Sequence, residues 1–330
     1  MRRMEALESW TRSDKTFDGE TRDVYRKGTG PGVILIHEIP GIEPDLVHFA
    51  EEIVARGYTV LLPRLFGTPG AGFSAGSMAR TVRQFCVRRE FAIFARGRTS
   101  PIAGWLRALA RDLHVDTGGA GVGVIGICFT GGFALAMMAD APVIAPVLAE
   151  PSLPAGLGFP RGAALRGADL GLNARDLNAV KTSGCEVLGL RYRADGATGT
   201  RFETLRRELG DRFLAVEFEG RGHSVLTRHR REFGVEEVLA FLDRKLAPTT
   251  ERPEPARDTA LERSLEARLP PGFSARITRD PYRVALLVER GLTDAGRKRI
   301  EDITRDETGL TPDIARLTPK RQDTTAESTA

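Results

Sequence analysis

Three side chains in this sequence have the types and the spacing for acyl transfer: Cys128, Asp195 and His223. A thiol nucleophile needs a base for its proton, a group that orients the base, and N–H donors for the oxyanion. Cys128 stands where the apolar run Val122-Gly123-Val124-Ile125-Gly126-Ile127 gives way to the small-residue stretch Thr130-Gly131-Gly132-Phe133-Ala134-Leu135-Ala136. That is strand, sharp turn and helix, the context in which one side chain is pushed out above a sheet. Gly126 and the small residues after the cysteine permit the tight turn. The helix start behind Cys128 offers a positive dipole end to a thiolate and backbone N–H groups to an oxyanion. Free cysteines are also common packing residues. Here the partners follow in order, which favours the chemical reading. Asp195 lies just beyond one strand, and His223 closes Glu219-Gly220-Arg221-Gly222 after the next. Nucleophile, acid, histidine is a recurring chain order for such triads.

A literal G-x-S-x-G also occurs, Gly72-Phe73-Ser74-Ala75-Gly76. No buried strand precedes Ser74, so nothing rigid would hold a strained turn there, and the motif reads as a surface loop.

The elements that must position these groups alternate in type. Val33-Ile34-Leu35-Ile36-His37 is a continuous apolar run, as in a strand buried on both faces. A helix follows over 44–56, with Leu46, Phe49, Ile53 and Val54 at helical spacing, and then the strand 58–62. Further strands are predicted at 143–148, 186–191 and 213–218. Helices are predicted at 78–94, 101–113, 173–181, 200–209 and 232–246. Residues 21–27 read as an edge strand, and the start of the chain to about Lys15 reads as frayed. Strands alternating with helices make a doubly wound, mostly parallel α/β sheet, with the site at the carboxyl ends of the strands.

Composition narrows the function. The chain has 330 residues, 41% hydrophobic and 28% charged, with a net charge of +4, as in an ordinary globular protein. No dense basic run with interleaved aromatics points to nucleic acid. Three cysteines, Cys86, Cys128 and Cys185, suggest neither a disulfide frame nor a zinc site. The N-terminal residues lack an apolar leader, and no run reaches membrane-spanning length. The expectation is a cytoplasmic protein with no membrane partner.

On these residues the stretch from about Tyr25 to Leu246 resembles the dienelactone hydrolase family, a branch of the α/β-hydrolase fold. The resemblance rests on Gly126-Ile127-Cys128, Asp195, Gly222-His223-Ser224 and His37-Glu38-Ile39-Pro40-Gly41. It implies a Cys128–Asp195–His223 triad in which Glu38 contacts the nucleophile and helps form the thiolate. It also implies an oxyanion hole from the backbone N–H groups of Ile39 and Phe129. A buried glutamate without a cationic partner is suited to accept a thiol proton, whereas His37 reads as structural. The position four beyond His223 is Thr227, so the arginines for a substrate carboxylate are sought among Arg80, Arg83 and Arg228. The expected activity is hydrolysis of a small ester, thioester or lactone with no metal or organic cofactor. The competing reading is a degenerate hydrolase fold serving as a binding or regulatory module.

Domain boundaries follow composition. Residues 1–247 form the hydrolase domain and 248–258 a proline-rich linker. Residues 259–318 form a small α+β unit with a helix, strands at 273–278 and 282–289, and a helix at 293–306. Residues 319–330 read as a disordered tail. The unit offers little core of its own, so its Leu261, Leu265, Leu269, Ile277, Leu286 and Ile300 need cover. The linker favours a homodimer through this unit, and a cut after Leu246 is expected to spare the site.

Overall fold

The computed structural model describes residues 7–70, 74, 76, 101–139, 141–152, 167–246, 257–279, 282–289 and 292–317. Eleven strands form one sheet in the order β1-β2-β4-β3-β5-β6-β7-β8-β11-β10-β9. Its centre is the parallel run β4 (Thr59–Pro63), β3 (Gly32–Ile36), β5 (Val122–Ile127), β6 (Val143–Ala149), β7 (Val187–Tyr192) and β8 (Phe213–Phe218). β3, β4 and β5 are buried at every residue, which is why they read as unbroken apolar runs.

Two core layers cover the faces. On one side lie α1 (Pro44–Ala55), through Leu46, Phe49 and Ile53, and α6 (Glu232–Leu246), through Phe233, Val238 and Phe241. On the other lie α2 (Pro101–Thr117), α3 (Gly131–Met137), α4 (Ala174–Thr182) and α5 (Arg201–Leu209), with Trp105, Phe133, Val180 and Phe202 inward. This is the α/β-hydrolase arrangement. The helix expected over 78–94 lies outside the described residues.

The N-terminal end differs from expectation. β2 (Glu20–Lys27) is not the edge, because β1 (Thr11–Phe17) pairs antiparallel along its outer side. β1 is mostly exposed and shows no apolar alternation. Its signal was the turn Asp18-Gly19, which takes positive φ at both residues (50° and 79°), the demand of a tight hairpin. Trp10 then anchors the strand, buried with its indole N–H donating to Glu51 at 2.7 Å.

The C-terminal unit continues the same sheet. It comprises α7 (Thr259–Arg268), β9 (Phe273–Arg279), β10 (Tyr282–Val288), α8 (Asp294–Thr308) and β11 (Asp313–Leu317). β11, which the sequence did not reveal, pairs parallel with β10 and antiparallel with β8, Ala315 opposite Phe218. Leu265, Ile277, Leu286, Ile300 and Ile314 bury one another in a cluster of their own. The argument for a second chain rested on these residues lacking cover; they have it within this chain. Asp313 also accepts from the Phe233 N–H at 2.9 Å, satisfying a donor at the start of α6, and pairs with Arg231 at 3.2 Å. The expected tail, 319–330, lies outside the described residues, as does the expected linker, 248–258, up to residue 256.

Candidate active site

Five successive ends of the parallel strands converge on one place, the carboxyl edge predicted for a doubly wound sheet. Cys128 follows β5 with φ +60°, a strained value for a side chain with a Cβ. A Cβ on Gly126 would stand 2.3 Å from the Thr130 carbonyl oxygen, so only glycine lets the turn close. The Thr130 hydroxyl accepts from the Ile127 N–H at 2.9 Å and lies 3.1 Å from the Ile36 carbonyl. The elbow is thereby pinned to the end of β3.

Asp195 and His223 meet as their strand-end positions require: Nδ1 of His223 lies 2.9 Å from Oδ2 of Asp195. Asp195 is held by further donors, the Thr198 hydroxyl at 2.7 Å and the Ala197 N–H at 2.9 Å. Burial alone would raise its pKa, but these bonds and His223 hold it below the usual carboxylate value. For His223, burial opposes the charged form; hydrogen bonds to Asp195 and Cys128 outweigh it and lift the pKa to about 11. Donor atoms of Glu38, Cys128 and His223 all lie within 4.8 Å of one another, so the four predicted groups are brought together.

Glu38 is buried and held from both sides, its oxygens accepting from the hydroxyls of Ser224 and Thr227 at 2.8 Å each. His37 is structural. Its Nε2 accepts from the Leu65 N–H (3.1 Å), which leaves the proton on Nδ1 for the Glu38 carbonyl (3.0 Å). Burial holds its pKa near 4, so the ring is neutral. Ile39 and Phe129 follow β3 and the nucleophile directly, the positions expected of the oxyanion donors. Arg228 is engaged by Glu43 at 3.2 Å. Burial, against Arg228, brings Glu43 to about 7. Arg80 and Arg83 lie outside the described residues. Ser74 is exposed and in no strand or helix.

Two neighbours escaped the sequence reading. Beyond β6, the Ser152 hydroxyl lies 3.0 Å from the Cys128 sulfur, and the Ser152 N–H donates to the Cys128 carbonyl at 3.1 Å. Glu150, fully buried with φ +36°, accepts from the Val225 N–H at 3.1 Å, two residues past His223. The only signal was position: Glu150 immediately follows the buried strand β6, and Ser152 lies two residues further on. Beside Ser152 a cleft opens, walled by Leu135, Leu148, Leu170 and Leu205 and bounded by Arg201.

The profile of the Dienelactone hydrolase family matches residues 21–155, a span that includes Glu38 and Cys128. Over that span, 135 of the 330 residues, the chain resembles the dienelactone hydrolases. No curated protein matches the sequence. Among solved structures, a dienelactone hydrolase-like protein of Klebsiella pneumoniae subsp. pneumoniae is similar. The two share 15% identity and a TM-score of 0.51, over 72% of this chain and 98% of that one. DcsB, solved with a substrate analogue, matches at 14% identity and a TM-score of 0.51, over 73% of this chain and 100% of its own. At such identity these likenesses speak for the fold. The dienelactone hydrolase family is one of hydrolases acting on ester bonds. Among the described residues no helix is long and apolar enough to cross a membrane.

Glu38, Cys128 and His223 each present one atom that a metal could bind. Each is also placed for acyl transfer, with Nδ1 of His223 committed to Asp195 and both Glu38 oxygens to hydroxyls.

Proposed function

We propose that this protein is a cysteine hydrolase of a small ester, thioester or lactone, working through Cys128, His223 and Asp195. The observation that carries the reading is the Asp195–His223 bond of 2.9 Å beside a cysteine held at φ +60° on a strand-to-helix turn. Sulfur attacks the carbonyl carbon, and the carbonyl electron pair moves to oxygen, which the N–H groups of Ile39 and Phe129 receive. His223 then gives a proton to the departing oxygen or sulfur as the acyl–sulfur bond is completed. Water, losing its proton to His223, attacks the acyl-enzyme and releases the acid and Cys128. Asp195 fixes the imidazole tautomer and balances its positive form. Glu38, held within reach of the sulfur, assists its ionisation.

Turnover of p-nitrophenyl acetate tests the reading. Cys128→Ala is expected to lose at least about 10³-fold in rate, and Ser74→Ala nothing. Activity that survives Cys128→Ala, or disappears with Ser74→Ala, overturns the assignment.

A further inference from the structure

The sulfur of Cys128 has a hydroxyl-bearing neighbour with no part in the triad. Ser152 is buried, 6% exposed, and its Oγ lies 3.0 Å from Sγ. Its backbone is fastened to the nucleophile as well, through the Ser152 N–H and the Cys128 carbonyl. The strap is anchored one turn of chain earlier, where Glu150 holds the Val225 N–H of the histidine loop. Ser152 therefore sits on a segment hydrogen-bonded to both the cysteine turn and the histidine loop.

Proton counting fixes the direction of the contact. Nδ1 of His223 is committed to Asp195, so the other ring nitrogen makes the hydrogen bond to Cys128, and the one proton between ring and sulfur lies on that line whichever of the two holds it. Toward Ser152 the sulfur is then an acceptor. A hydroxyl at 3.0 Å from an accepting sulfur must donate to it.

We propose that Ser152 is a further catalytic residue, a second hydrogen-bond donor that holds the Cys128 sulfur as a thiolate. This rests on the cysteine-hydrolase reading for its place in turnover. Once ionised, the sulfur lies between the imidazolium N–H and the Ser152 O–H. On acylation the sulfur's electron pair goes into the new C–S bond and the hydroxyl loses its anionic acceptor. In deacylation the C–S bond breaks, the pair returns to sulfur, and Ser152 receives the leaving thiolate. The residue thus assists expulsion of sulfur from the second tetrahedral intermediate.

The test uses the full chain with Ser152→Ala and Ser152→Thr. The ratio of thiolate to thiol, read from ultraviolet absorbance against Cys128→Ala across neutral pH, is expected to fall on the order of 10-fold in Ser152→Ala, the size of one hydrogen bond to a charged group. Ser152→Thr, which keeps the hydroxyl, is expected to restore most of it. In stopped-flow with p-nitrophenyl acetate, Ser152→Ala should accumulate acyl-enzyme and slow the phase after the burst about 10-fold. A folded Ser152→Ala protein with an unchanged ratio overturns the proposal, as does a Ser152→Thr protein that behaves like Ser152→Ala. Because the absorbance is read without substrate, a protein with no esterase activity but a Ser152-dependent ratio would defeat only the hydrolase reading.

Discussion

Replacing Glu150 by glutamine tests whether a neutral carboxyl lies under the histidine loop. Burial, reinforced by the charges of Glu38 and Cys128, drives the Glu150 pKa well above 4.5, against the opposing pull of His223 and the Val225 N–H. One carboxyl oxygen accepts from Val225; the other is buried without a hydrogen-bond partner among the described residues. A group whose folded pKa is raised contributes stability below its unfolded pKa and loses it as pH rises through the folded one. Between the unfolded and the folded value, keeping that proton costs about 1.4 kcal/mol for every pH unit. Glutamine needs no proton and can still accept from Val225. Its amide nitrogen takes over the unpartnered position, at a cost of about 1–3 kcal/mol that does not vary with pH. The decisive quantity is therefore a slope. Denaturant unfolding of wild type and Glu150→Gln from pH 4.5 upward should show the variant gaining on wild type, by at most about 1.4 kcal/mol per pH unit. A difference that stays flat across that range refutes the reasoning and makes Glu150 an ionised residue.

His223→Ala should behave with the opposite logic of partner and charge. The imidazole's raised pKa contributes stability that is complete below about 6.5 and lost as pH climbs toward about 11, so the variant's deficit should shrink over that window in the same unfolding assay. Gly126→Ala places a Cβ 2.3 Å from a backbone oxygen and is expected to cost about 2–3 kcal/mol and the esterase activity together, seen by thermal melting and turnover. Glu38→Gln should slow acylation while leaving substrate binding largely intact; an unchanged stopped-flow acylation rate would remove the residue from the mechanism. Truncation after Leu246 keeps Cys128, Asp195 and His223 but uncovers the β8 edge and removes Asp313 from the start of α6. Contrary to the sequence expectation, the truncated protein should aggregate and lose activity; a monomeric, fully active fragment would show that the unit supports neither.

What could be read from sequence was what local pattern dictates. β3 and β5 are buried on both faces, so their composition announces them, and glycines at the elbow and histidine loop mark where chemistry leaves the sheet. Cys128, Asp195 and His223 stand out because each lies at or shortly beyond the end of a strand. β1 and β11 owe their conformation to pairing with a neighbour, and neither carries an apolar alternation. Asp313-Ile314-Ala315-Arg316-Leu317 becomes a strand because the β8 edge is there to receive it. Ser152 and Glu150 sat at the head of a Gly/Pro/Ala stretch that looked like any loop. Only the return of β6 beside β5 puts a hydroxyl against the sulfur. Arg228 shows the converse: its residue type suits a substrate carboxylate, yet Glu43 occupies it.

The order in which the sheet is laid down has a consequence for how the protein is made. β8 is finished at residue 218 and α6 at 246, but the strand that covers the β8 edge ends at residue 317. At ordinary rates of synthesis those last 71 residues take roughly 4 to 14 seconds. For that interval the emerging chain carries Glu38, Cys128, Asp195 and His223 beside an open strand edge, the surface on which nascent chains pair wrongly with one another. Arg231, meanwhile, waits for Asp313. It already reaches the Tyr192 hydroxyl at 2.9 Å, and that hydroxyl reaches the carbonyl of His229, whose ring accepts from the His223 N–H at 3.3 Å. The pairing of Arg231 with Asp313, behind that chain of bonds, is thus among the last parts of the protein to be put in place.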